Sequence, residues 1–146
     1  MELSSKQKGN LTELQCLTSF YEQGCHVSLP YGENSRYDMI VDINGKLLKV
    51  QVKTASLRKE DENAIEFSCR STRVNSQGTI SNKYTPDEID YFATFWKGVC
   101  YLIPVTECSV SKTLRFDIEV KVRNLLFNQF RKRKDGNDNA VSEEEN

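Results

Sequence analysis

The stretch Arg36-Tyr37-Asp38-Met39-Ile40-Val41-Asp42-Ile43-Asn44-Gly45-Lys46-Leu47-Leu48-Lys49-Val50-Gln51-Val52-Lys53 decides the fold. Asn-Gly between two apolar runs is a strong hairpin signal, because a type I′ turn needs positive φ at both central residues. With Asn44 and Gly45 as the loop, Ile43 faces Lys46. The ladder then runs back to set Asp38 opposite Gln51 and Arg36 opposite Lys53. Residues paired in this way have Cβ atoms about 4.5–5.5 Å apart. Gln51 and Lys53 share a face, because strand side chains alternate with a period of two. One patch therefore gathers a carboxylate, an amide oxygen and an ammonium, which suits metal-assisted attack on a phosphate.

Around that hairpin the chain is ordinary in bulk. Its 146 residues suffice for one domain with a real core, and the hydrophobic share of 38% is low but globular. The net charge of −1 hides an asymmetry. Residues 135–146 hold five acids (Asp135, Asp138, Glu143, Glu144 and Glu145) and no base, which leaves a body of 20 basic against 16 acidic residues. We therefore expect a mildly basic domain over residues 1–134 and an acidic, disordered tail over 135–146. Arg131-Lys132-Arg133-Lys134 closes the body. Cys16, Cys25, Cys69, Cys100 and Cys108 are odd in number and form no Cys-x-x-Cys pair. With no signal peptide and no apolar run near the roughly 20 residues of a membrane span, they imply reduced, buried thiols in a cytoplasmic protein. The single histidine, His26, leaves these dispersed cysteines without a zinc-site pattern.

Coarse elements follow from caps and periodicity. Ser4 or Ser5 as N-cap and Gly24 as C-cap bracket a helix over about residues 6–23, with Leu14, Leu17 and Tyr21 at helical spacing. Glu13 lies at the edge of its buried stripe. A strand over 25–29 stops at Pro30, the polar segment 31–35 is a loop, and the hairpin arms cover 36–43 and 46–55. Residues 56–63 look like a charged connection, 64–70 like a strand, and 71–83 like a polar loop. Thr85-Pro86-Asp87-Glu88 has the form of a capped helix start. Residues 91–96 are aromatic-rich, Lys97-Gly98 marks a tight turn, and 99–105 reads as a buried strand. Ile118, Val122, Leu125, Leu126 and Phe130 have helical spacing. One helix and then strands with tight connections predict a mixed α+β or α/β/α sheet.

Taken singly, each site residue has a plain reading. A strand aspartate can cap a turn, and a strand lysine ordinarily faces solvent. Their meaning comes from proximity. The wider pattern resembles the PD-(D/E)XK nuclease superfamily, with glutamine in the acid position. The residues that carry it are Gly9-Asn10-Leu11-Thr12-Glu13 on the helix, Arg36-Tyr37-Asp38, Val50-Gln51-Val52-Lys53-Thr54, Ile89-Asp90-Tyr91-Phe92-Ala93 and Cys100-Tyr101-Leu102-Ile103-Pro104. Over roughly residues 6–105 the chain is similar to the branch that contains cyanobacterial group I intron homing endonucleases and relatives of archaeal Holliday junction resolvases.

The resemblance implies a restriction-endonuclease-like α/β core, a central mixed sheet flanked by helices. It implies catalytic roles for Glu13, Asp38, Gln51 and Lys53. Asp38, Glu13 and the Val52 carbonyl would hold Mg²⁺, and Lys53 would orient the attacking water and stabilise charge on the phosphate. The implied activity is hydrolysis of DNA phosphodiesters as a homing- or restriction-type endonuclease on double-stranded DNA. Because one domain carries one site and a duplex has two strands, a symmetric homo-oligomer is expected. Arg36, Lys49, Arg70, Arg73 and Lys83 are the candidate DNA contacts, with base-reading groups sought in 71–83. A structure-selective junction nuclease and a non-catalytic DNA-binding protein of the same fold are the alternatives. Asp90 and the aromatics Tyr91, Phe92, Phe95 and Trp96 are assigned to structure.

Overall fold

The structure is a computed structural model that describes residues 1–115. The helical spacing expected over 118–130, the basic cluster 131–134 and the acidic stretch 135–146 lie outside the described residues. Helix α1 spans Ser5–Glu22. Ser4 is its N-cap in a capping box, its hydroxyl accepting the Gln7 N–H while the Gln7 side chain accepts the Ser4 N–H. After the C-cap Gln23, Gly24 takes φ 82° and reverses the chain.

Five strands form the central sheet. These are β1 (His26–Ser28), β2 (Met39–Ile43), β3 (Lys46–Val52), β8 (Tyr91–Trp96) and β9 (Val99–Pro104), in the spatial order β1-β2-β3-β8-β9. The β2–β3 turn is as expected, with Asn44 at φ 60°, Gly45 at φ 77° and Ile43 paired with Lys46. A second tight turn of the same hand joins β8 to β9, with Lys97 at φ 46° and Gly98 at φ 82°. β3 runs parallel to β8 and every other pairing in this sheet is antiparallel, so the sheet is mixed.

The excursion between β3 and β8 departs from expectation. Residues 56–63 are not a simple connection, because β4 (Ser56–Arg58) folds back onto β5 (Asp61–Ser68). Residues 71–83 are not a loop, because β6 (Arg70–Asn75) and β7 (Gly78–Lys83) form a two-stranded ribbon. Its serines, threonines and asparagines carry no hydrophobic alternation for a sequence to display. The Thr85 helix does not form. The Glu88 carboxylate accepts the Thr85 N–H (3.0 Å) as in a capping box, but only a single turn follows. Ile89 enters the core, and Asp90 is held against β3, its N–H donating to the Lys49 carbonyl (2.9 Å) and its carboxylate accepting the Lys49 N–H (2.8 Å).

The sheet has two covered faces. On one, α1 lays Cys16 and Phe20 over Met39, Val41, Val50, Val52, Ala93 and Leu102. On the other, Phe92, Tyr101 and Ile103 meet Ile65 and Phe67 of β5 and Leu114 of β10 (Ser111–Arg115), a strand paired with β5. Among the described residues this second cover is a small sheet, β10-β5-β4. Five apolar residues of α1 and β2–β3 (Cys16, Phe20, Met39, Val41 and Val50) are fully shielded from water. Burying side chains of this kind contributes about 1.5–3 kcal/mol each for the larger ones.

Candidate active site

Asp38 sits just before β2, where the polar loop from Pro30 enters the sheet. Its N–H donates to the Val50 carbonyl (2.9 Å), and its carboxylate accepts the Val52 N–H (2.8 Å). That second bond holds the carboxylate against the end of β3, where Gln51, Val52 and Lys53 follow one another. β3 alternates as predicted. Leu48, Val50 and Val52 are buried under α1, while Lys49, Gln51 and Lys53 turn the other way and stay partly accessible. Asp38 and Gln51 line one cleft together with Glu33, Arg36, Ser71 and Tyr84.

Glu13 reaches the same place from α1. The Thr12 hydroxyl is 3.1 Å from that of Thr54, just past β3, which pins this turn of the helix over the strand end. Glu13 and Asp38 line a second, adjoining cleft with Pro30, Glu33 and Tyr37. Burial raises the Glu13 carboxyl above its ordinary value, and the charge of Asp38 raises it further. Burial also pushes the Asp38 carboxyl up, against the lowering effect of the Val52 N–H and the Lys53 ammonium. Lys53 is pushed down by burial, with Asp38 opposing that shift. Its Nζ donates to the Arg70 carbonyl (2.9 Å) and lies 5.2 Å from the centre of the Tyr84 ring. The structure thus brings Glu13, Asp38, Gln51 and Lys53 into one region. It leaves the two acids as neighbouring, partly desolvated carboxylates that resist ionising together.

This donor set fits a hard divalent cation. Two carboxylates, the Gln51 amide oxygen and the Val52 carbonyl are all oxygen ligands, and a cation between the acids would relieve their repulsion. No three His, Cys, Asp or Glu residues converge among the described residues. Mg²⁺ binds through one or two carboxylates and keeps several waters.

The basic candidates divide. Arg36 is committed to the protein. Its Nε donates to Glu88 (2.7 Å), its Nη1 to the Ser71 hydroxyl (2.7 Å) and its Nη2 to the Lys83 carbonyl (3.3 Å), and its guanidinium lies 4.0 Å over the Tyr84 ring. The Lys49 ammonium donates to the Asp87 carbonyl. Arg70 contrasts with both, its Nε being buried with no hydrogen-bond partner among the described residues. Lys83 is exposed at the end of β7, and Arg73 pairs with Ile80 in the ribbon. Sequence reasoning did not find Tyr84 or Glu33. Tyr84 lies outside any periodic segment, and a glutamate in a polar loop looks like solvated charge.

No match is found among curated proteins. Among solved structures the chain is similar to a bacterial homing endonuclease, I-Ssp6803I, with 26% identity, a TM-score of 0.67, and coverage of 77% of this chain and 78% of that one. The PD-(D/E)XK endonuclease pattern matches residues 3–132. That span contains the whole cluster from Glu13 to Lys53 and nearly all of the chain's basic body, so the chain belongs to the PD-(D/E)XK endonuclease family.

Proposed function

We propose that this protein is a Mg²⁺-dependent DNA endonuclease of homing or restriction type that hydrolyses phosphodiester bonds in double-stranded DNA. One observation carries the proposal: Asp38 is held by the Val52 N–H between Glu13 on one side and Gln51 and Lys53 on the other. Family membership and the resemblance to a homing endonuclease support it.

In this account Asp38, Glu13 and the Val52 carbonyl hold the cation, and Gln51 adds a neutral oxygen. The ion supplies positive charge against the phosphate as negative charge builds on it. Gln51 in place of an acid removes one negative charge, so cation affinity is lower than with three carboxylates. Lys53 has one proton engaged by the Arg70 carbonyl, and its ammonium would orient a water and meet charge on the phosphoryl oxygens. Burial lowers its pKa, which eases proton exchange relative to an ordinary lysine. Arg70, partly exposed at the start of β6, is the favoured phosphate contact, with Lys83 and Arg73 as the other basic residues of residues 70–83. Arg36 and Lys49 act by holding the cleft in shape. Cutting both strands calls for a symmetric assembly with two such sites. The five cysteines, all buried and none in a disulfide, suit a reducing compartment such as the cytoplasm.

Supercoiled plasmid incubated with Mg²⁺ or with EDTA tests this reading. Cleavage should require Mg²⁺ and be lost in Asp38→Ala and in Lys53→Ala. Undiminished cleavage by Asp38→Ala would overturn the site. Retained DNA binding without cleavage in the wild type would favour a binding protein of the same fold. Competition between linear and four-way DNA separates a site-specific from a junction-selective enzyme.

A further inference from the structure

The β6–β7 ribbon contributes little to the core. Every residue of β7 is exposed, as are Asn75, Ser76 and Gln77 around its turn. Ile80 is 44% exposed. An isolated two-stranded hairpin is marginal in water, so burial does not account for this one. Its base, in contrast, is pegged to the catalytic cleft at several points. Arg36 bonds to Ser71 on β6 and to the Lys83 carbonyl on β7, and Lys53 bonds to the Arg70 carbonyl. Gln77 N–H donates to the Asn75 side-chain oxygen (2.9 Å), which shapes the two-residue turn ahead of Gly78 at φ 127°.

From these contacts we infer that the ribbon lies in the DNA major groove and reads base edges, with Asn82, Ile80 and Asn75 on the reading face. This deepens the proposed function and rests on it. The register selects the face. Ser71, which points to Arg36 in the cleft, is paired with Asn82, and the positions two and four residues further out are the Arg73–Ile80 and Asn75–Gly78 pairs. Residues at a spacing of two share one side of the ribbon, so the side that continues the cleft carries Asn82, Ile80 and Asn75. The chemistry fits base edges. An asparagine can bond both N6 and N7 of adenine, and an exposed isoleucine can pack on a thymine methyl. The dimensions fit as well. The major groove is about 12 Å wide and admits a two-stranded ribbon, and six residues per strand extend about 20 Å. From residue 70 to residue 83 there are three basic residues and no acid, so the ribbon carries no charge that opposes DNA. In this arrangement Arg36 is a positioning residue. By clamping both strands at the base, it sets the offset between the bases read and the phosphate presented to Asp38 and Lys53.

The test is selection of bound duplexes from a random-sequence library in EDTA, where cutting is not required, followed by dimethyl sulfate interference, which reports guanine N7 in the major groove and adenine N3 in the minor groove. Wild type should select a consensus whose contacts lie in the major groove. The Asn75→Ala/Asn82→Ala pair should keep affinity for random DNA within about threefold and lose at least tenfold preference over one contiguous block of base pairs. Ile80→Asn should change the preferred base within that block, an outcome that a merely unfolded ribbon cannot give. An unchanged consensus in all variants, the lack of any wild-type consensus, or interference confined to the minor groove would overturn the ribbon proposal while leaving the plasmid assay to judge the nuclease. Failure to bind any duplex would overturn the ribbon proposal, and the plasmid assay in Mg²⁺ would still judge the nuclease.

Discussion

Two of the antiparallel hairpins with two-residue turns, β2–β3 and β6–β7, stand for opposite reasons. In β2–β3, Met39, Val41, Leu48 and Val50 are buried beneath α1, and removing them from water holds the strands together. In β6–β7 the described outer positions face solvent, and the hairpin is held at its root by Arg36 and Lys53. The first hairpin builds the site and the second is attached to it. Burial makes an element rigid and readable in sequence. Polar pegs make an element that can be re-addressed without disturbing the core.

The comparison can be broken at several strengths. The largest effect should come from Met39→Ala, which removes a fully buried side chain and should cost about 2–5 kcal/mol in urea denaturation. Ile80→Ala in the ribbon should stay within about 0.5 kcal/mol. A large loss at Ile80 would mean that the ribbon is packed against something. Next comes Arg36→Ala, which frees the ribbon root. Its charge-assisted bonds are partly exposed, the Arg36–Glu88 pair being 30% and 32% accessible, so we expect about 1 kcal/mol of local stability after solvent screening. Amide exchange in β6 and β7 should then quicken by about fivefold while β2 and β3 stay protected. Equal acceleration in both hairpins would contradict separate anchoring.

The smallest effect concerns the cluster itself. Burial raises the folded-state pKa of Asp38 above its ordinary 3.8, so the folded chain binds this proton more tightly than the unfolded one. The sign follows directly: stability falls as pH rises from 3.8 through the raised folded value, and the cost of ionisation persists above it. Lys53 contributes with the other slope. Its lowered pKa makes stability rise with pH between its folded value and 10.5. Asp38→Asn retains an oxygen for the Val52 N–H and cannot ionise. In EDTA it should melt a few degrees higher than wild type at pH 7, and the gap should close toward pH 4.

Much of this was legible in the sequence, for identifiable reasons. Asn44-Gly45 dictates the turn, the alternation from Leu48 to Lys53 dictates the two faces of β3, and together they put Asp38 beside the end of that strand. The Ser4 cap and Gly24 bound the helix to within a residue at each end. What escaped is polar or tertiary. Residues 71–83 pair through backbone hydrogen bonds that polar side chains do not announce. The Thr85–Glu88 cap is real but ends after one turn, because Ile89 and Asp90 gain more from the core and from β3. Arg36 looked like a phosphate ligand because its partners Glu88, Ser71 and Tyr84 are distant in sequence and near in space. Glu13 could be placed at a helix edge, but its approach to Asp38 depends on the Thr12–Thr54 contact, which no local pattern encodes.

The central claim is that Glu13 and Asp38 form one cation site whose repulsion the ion relieves. Thermal unfolding with and without Mg²⁺, for wild type and for Asp38→Asn, tests it most directly. The account predicts that Mg²⁺ at about a hundred times its dissociation constant stabilises wild type by about 2.7 kcal/mol and leaves Asp38→Asn almost unmoved. Equal Mg²⁺ shifts in the two proteins would contradict it.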